Sequence, residues 1–142
     1  MAPGVQRFTE LRAWQACNVY KQAVYRLCAD GPLSRDWQRR RQIEESVAGP
    51  PAHIAEGFGR FNPAEFARFA AIARASLVES QNHLRDAVDR EYISEDQRAQ
   101  VDGLASIALG EVTGLMEYLQ SREALHDARR AVRTTASRRP DR

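Results

Sequence analysis

Apolar residues recur along the chain at steps of three and four, the spacing that stacks side chains on one face of an α-helix. Phe66, Phe69, Ala70, Ala73, Leu77, Leu84 and Val88 follow this step, with Ser80 as its one polar interruption. Val101, Leu104, Ala105, Ala108, Val112, Leu115 and Leu119 repeat it. Alternation of the β type never lasts more than a few residues, and no internal repeat is evident. Punctuation then divides the chain into four predicted helices, about 9–29, 34–57, 63–91 and 95–128. Asp30-Gly31-Pro32 stops the first, because Gly suits the position after a helix and Pro cannot continue the ladder. Ser34 is the expected N-cap of the second. Asn62, Pro63 and Glu65 open the third as N-cap, first helical residue and capping-box partner, and Ser94 with Gln97 opens the fourth in the same way. The connections are short, which places successive helices antiparallel. The predicted fold is all-α, an antiparallel up-down four-helix bundle over residues 1–128, followed by an Arg-rich tail, 129–142.

Helix one carries more apolar surface than one core requires. At 100° per residue, Ala13, Ala16, Tyr20, Ala23, Val24 and Leu27 gather on one side, and Leu11, Trp14, Cys17, Tyr25 and Cys28 on the opposite side. The combined arc spans roughly 240°, against the ~100° stripe that faces a single core. A two-sided helix needs a second partner, so Leu11, Trp14 and Tyr25 are candidate residues of a self-association interface.

In helix two, Gly49-Pro50-Pro51 is expected to kink the chain, since each Pro removes a donor and crowds the preceding turn. Around it lie Gln42-Ile43, then Ile54-Ala55-Glu56-Gly57 followed by Gly59-Arg60. With Phe8 to Leu11, Trp14 and Gln15 before them, and Phe66, Arg68-Phe69, Ile72-Ala73, Ser76-Leu77 and Glu79 after them, these blocks resemble the 23S rRNA intervening-sequence protein family. The resemblance covers about residues 8 to 120. It implies a small bacterial four-helix bundle without enzymatic activity that forms a homo-oligomer, typically a five-subunit ring. It also implies a kinship in shape with the accessory variability determinant protein of diversity-generating retroelements, a basic partner of a reverse transcriptase and its RNA. Pro51, Ile54, Glu56, Gly57, Arg60, Arg68 and Glu79 stand at the motif positions. The chain departs from the pattern at Glu44 and Glu45, where relatives carry two Arg, at Gly49-Pro50, and at His53, where they carry Asn.

Glu56 is expected to cap or pair locally with Arg60 or Arg68, with Gly57 and Gly59 turning the chain between helices two and three. The 142 residues are 43% hydrophobic and 28% charged, an ordinary globular mixture. The formal charge of +2 hides an asymmetry, however. Residues 91–120 hold six acids and only Arg98, whereas 129–142 hold six Arg and only Asp141. Lys21 is the sole Lys, so cationic contacts are made with arginine's planar fork. Arg129, Arg130, Arg133, Arg138 and Arg139 of the tail, with Arg35 and Arg39 of helix two, are therefore candidate contacts for structured RNA. The tail itself reads as a solvated, disordered end.

Other chemistry finds little support. Cys17 and Cys28 are separated by ~16 Å of helical rise, beyond the ~7 Å between Cα atoms that a disulfide tolerates, and read as reduced, buried thiols. A carboxylate-bridged metal pair needs two Glu-x-x-His units, and the chain has one, Glu123 with His126. The three His read as surface or cap residues. Asp86 and Asp89 beside Arg85 and Arg90 have the pattern of a solvated helix end. No cofactor, metal, small-molecule substrate or catalytic activity is expected. Without a leader or an apolar run of ~20 residues, the expected location is cytoplasmic, away from membranes. The expected partners are further copies of the chain, and RNA or a nucleic-acid enzyme.

Overall fold

The computed structural model describes residues 4–60, 62–121, 129, 130 and 133. Its four long helices are α1 (Arg12–Cys28), α2 (Trp37–Phe58), α3 (Pro63–Asp89) and α4 (Glu95–Leu119), with short 3-10 turns at Phe8–Glu10 and Pro32–Arg35, and no strand among the described residues. Each helix packs on two neighbours in the order α1, α2, α3, α4 and back to α1, and the most extensive contact is α2 against α3.

The predicted boundaries shift where local geometry competes. Leu11 is extended and separates the first 3-10 turn from α1. Ser34 does not cap α2: its hydroxyl donates to the Gly31 carbonyl at 2.6 Å within the 3-10 turn. Asp36 takes the cap instead, accepting the Arg39 N–H at 3.1 Å. Gly31 makes the preceding turn possible, with φ of +67°, a conformation L side chains rarely adopt. At α3 the Asn62 carboxamide accepts from both Ala64 and Glu65, and at α4 Ser94 and Gln97 form a reciprocal capping box. α4 ends at Leu119, where the Ser121 hydroxyl donates to the Tyr118 carbonyl and satisfies a terminal acceptor. Residues 122–128, in which the sequence suggested continued helix, lie outside the described residues.

Gly49-Pro50-Pro51 does not interrupt α2, which stays helical through to Phe58. Both rings are buried, so apolar contact offsets the two ladder bonds lost at their nitrogens. Nor does Gly57 turn the chain; it lies in the last turn of α2, with Gly59 after it in ordinary right-handed geometry. Its role is close approach. A Cβ at Gly57 would stand 2.6 Å from Phe66 Cδ1 and 2.9 Å from Phe69 Cβ, so α2 and α3 pack this tightly only because it is absent.

The core corrects the reading of helix one. Ala13, Cys17, Tyr20, Val24 and Cys28 are buried together, and Leu11 joins them. The apolar arc is thus one broad face centred near Tyr20 and Val24, with Trp14 and Tyr25 on one margin and Ala16 and Ala23 on the other. Cys17 and Cys28 are free, buried thiols, each pushed up to about 12 by desolvation. Tyr20 spans the bundle to α3, where its hydroxyl meets Ser80 Oγ at 2.8 Å. Ser80 also donates to the Leu77 carbonyl at 2.6 Å, so it accepts from Tyr20 and the interruption of the α3 seam is fully hydrogen-bonded.

Candidate nucleic-acid and self-association surfaces

A Schellman end to α3 shapes the end of the bundle where two connections meet. Glu91 adopts φ of +61°, its N–H bonds Val88 O, and the Tyr92 N–H reaches back to Ala87 O. That strained turn projects Tyr92 toward the start of α2, where its hydroxyl donates to Asp36 Oδ2 at 2.7 Å. The Tyr92 hydroxyl and then the Arg39 N–H hold the Asp36 carboxyl below the usual range. Arg39, Gln42, Ile43, His83, Asp86, Ala87, Arg90 and Tyr92 line a shallow cleft there.

The arginines of this region are mostly neutralised. Arg40 pairs with Glu44 at 2.7 Å, Arg41 with Glu45 at 2.9 Å, and Arg90 with Asp86 at 2.8 Å. Glu44 and Glu45 therefore cancel their own helix's arginines. The i, i+4 spacing of these residues signals such pairs, and the sequence reading did not use it. Arg39 turns along α2 to Gln42 at 3.4 Å. Arg35 belongs to the 3-10 turn, so Arg35 and Arg39 do not share one continuous helical face. Sequence reasoning also passed over Trp37. It follows the Asp36 cap, is 69% exposed, and carries the Arg41 guanidinium 5.3 Å above its ring.

Arg129, Arg130 and Arg133 are helical and exposed. Arg138 and Arg139 lie outside the described residues. Exposed Arg12, Arg26, Arg35 and Arg68 form no ion pair with another described residue.

The motif residues gather along the α2/α3 seam. Ile54 and Pro51 are buried, and Gly57 permits the close approach. Glu56 pairs with Arg60 at 3.0 Å, and Arg60 in turn covers the Phe69 ring at 5.0 Å, tying the end of α2 to α3. Arg68 stays exposed on α3 and takes no part. Glu79 bonds His83 Nε2 at 3.3 Å. His53 is not a surface or cap residue: it stacks on Phe69 with ring centroids 6.5 Å apart, and its Nδ1 is buried without a hydrogen-bond partner. Among the described residues, no cluster of three or more His, Cys, Asp or Glu is arranged to hold a metal, and no helix is long and apolar enough to cross a membrane. Glu123 and His126 lie outside them.

Of the three self-association candidates, Leu11 is 7% exposed and belongs to the core. Trp14 is half-buried, edge-on to Phe8 at 5.4 Å, and Tyr25 is exposed beside Lys21, 5.8 Å away. Residues 9–107, more than half of the chain, match a family model described as 23S rRNA-intervening sequence protein. A comparison with curated proteins finds no match.

Proposed function

This chain belongs to the 23S rRNA-intervening sequence protein family, and from that premise we propose that it is a cytoplasmic, non-enzymatic four-helix bundle that self-assembles and binds structured RNA through arginines. The up-down antiparallel course is supported by the Tyr92–Asp36 bond, which brings the α3–α4 connection to the start of α2. The observation that carries RNA binding is the exposure of Arg129 and Arg133, both helical residues beyond α4. Guanidinium forks suit phosphate oxygens, and in an assembly each copy adds its own pair. Arg35 extends the same chemistry on the bundle.

The test is retention of a 23S rRNA fragment at increasing salt. Each phosphate contact adds roughly 0.7–0.9 to the slope of log affinity against log salt, so Arg129→Glu with Arg133→Glu lowers that slope by about two. An unchanged slope in the variant would overturn the assignment of these arginines. Absence of wild-type binding at low salt would overturn RNA binding altogether. It would leave the second reading, a structural scaffold for protein partners, which the pairing of Arg40 and Arg41 with Glu44 and Glu45 favours.

A further inference from the structure

We propose that the outer face of α4 receives the outer face of α1 from a second copy of this chain; this rests on the self-assembly reading and names its surfaces. The α4 residues Val101, Ala105, Ala108, Val112 and Leu119 are buried. Directly opposite, at 100° per residue, stand Gly103, Ile107, Gly110 and Gly114, all exposed. Ile107 is 60% exposed, among the largest apolar exposures in the molecule. A Cβ placed on Gly103, Gly110 or Gly114 meets nothing within 4 Å. No contact among the described residues requires these glycines, although each weakens the helix relative to Ala.

Charge identifies the occupant. α4 contains five acids and one Arg, while α1 contains Arg12, Lys21 and Arg26 and no acid. On the outer face of α1, Arg12 and Arg26 flank Val19, which is 48% exposed. They lie ~21 Å apart along the helix axis, with Val19 midway. On α4, Asp96 and Glu111 lie ~22 Å apart with Gly103 midway. Neither arginine and neither acid forms an ion pair with another described residue. Laid side by side, the two faces set one arginine near Asp96 and Val19 over the hollow at Gly103, and the other arginine near Glu111 on the flank of the contact, about 80° around α4 from Gly103. Ile107 and the remaining glycines extend this close approach. The two surfaces differ, so the contact is heterologous, and its repetition closes a ring or extends a filament. Trp14 and Tyr25 stand more than ~100° around α1 from Val19 and stay outside this contact.

The experiment is light scattering of the full chain, with circular dichroism and thermal melting as controls for folding. Arg12→Glu with Arg26→Glu is expected to weaken association by at least about tenfold, through like-charge repulsion across the contact. Asp96→Arg with Glu111→Arg is expected to do the same, and the chain carrying all four substitutions to recover assembly. Gly103→Leu with Gly110→Leu is expected to raise the melting temperature of the subunit while abolishing association, a combination that a purely intrachain role cannot produce. Wild-type protein that stays monomeric overturns self-assembly as such. Wild-type protein that assembles, with charge-reversed and leucine variants assembling equally well, overturns this pairing and leaves self-assembly standing.

Discussion

Gly57 in α2 and Gly110 in α4 are both helical glycines, and a methyl group added to each meets opposite surroundings. At Gly57 it collides with Phe66 and Phe69 across the α2/α3 seam; at Gly110 it meets open space. The first glycine is explained by the fold of one chain. The second is not, and its cost to the helix is met by no contact among the described residues. Glycine in a helix is therefore informative only beside its surroundings: Gly57 lets the α2/α3 seam close, whereas Gly110 leaves open the hollow that the proposed contact with a second copy would fill.

The sharpest break of this comparison uses two isoleucines. Ile54→Ala in the seam removes a fully buried side chain and is expected to cost about 2–5 kcal/mol in urea unfolding, from lost burial and the cavity left behind. Ile107→Ala on the outer face is expected to move the unfolding free energy of the subunit by no more than about 0.5 kcal/mol. Equal losses at the two sites would erase the distinction.

The glycines give the next largest effect, with opposite signs. Gly57→Ala is expected to destabilise by about 1–3 kcal/mol, because Phe66 and Phe69 must be displaced from a packed seam. Gly110→Ala is expected to stabilise the subunit by up to about 1 kcal/mol through helix propensity. Paired thermal melts read both, and a stabilised Gly57→Ala would show that the seam is looser than its geometry.

The smallest effect concerns the polar link across the core. Tyr20→Phe leaves Ser80 bonded to the Leu77 carbonyl, so the expected loss is about 0.5–1.5 kcal/mol near neutral pH. The pH dependence has a definite sign. Burial raises the Tyr20 hydroxyl to about 12 from a usual value of 10.0, and Cys17 and Cys28 to about 12 from 9.0. All three contribute stability that is complete below the ordinary values and is lost as pH rises, because the unfolded chain releases its protons first. Stability is thus expected to fall from about pH 9, where the thiols of the unfolded chain begin to ionise, and more steeply from about pH 10 to 12. Tyr20→Phe removes the slope added above about pH 10 and leaves that of the two thiols, which denaturation followed across that range would reveal.

Much of the bundle was legible in sequence because helix signals are local. The step of three and four in α3 and α4, the Asn62 cap and the Ser94–Gln97 capping box depend on residues a turn apart, and the structure reproduces them. Errors arose where a neighbouring element intervened. Gly49-Pro50-Pro51 looked like a break by local rules, yet burial of both rings keeps α2 helical. Asp36, tied to Tyr92 from another connection, displaced Ser34 as the cap. Wide apolar coverage of α1 looked two-sided, because a helical wheel gives direction without depth: Cys17 and Cys28 belong to the same core as Tyr20.

The candidate surfaces divide in the same way. Sequence alone determined the acid excess of α4, the absence of acids from α1 and the arginines after residue 128, since charge is additive along a chain. Tertiary structure decided which arginines are neutralised, that Leu11 lies in the core, and that Gly57 is enclosed while Gly103, Gly110 and Gly114 face open space. Enclosure depends on how closely two helices approach, and that distance is set by every side chain between them rather than by the residue itself.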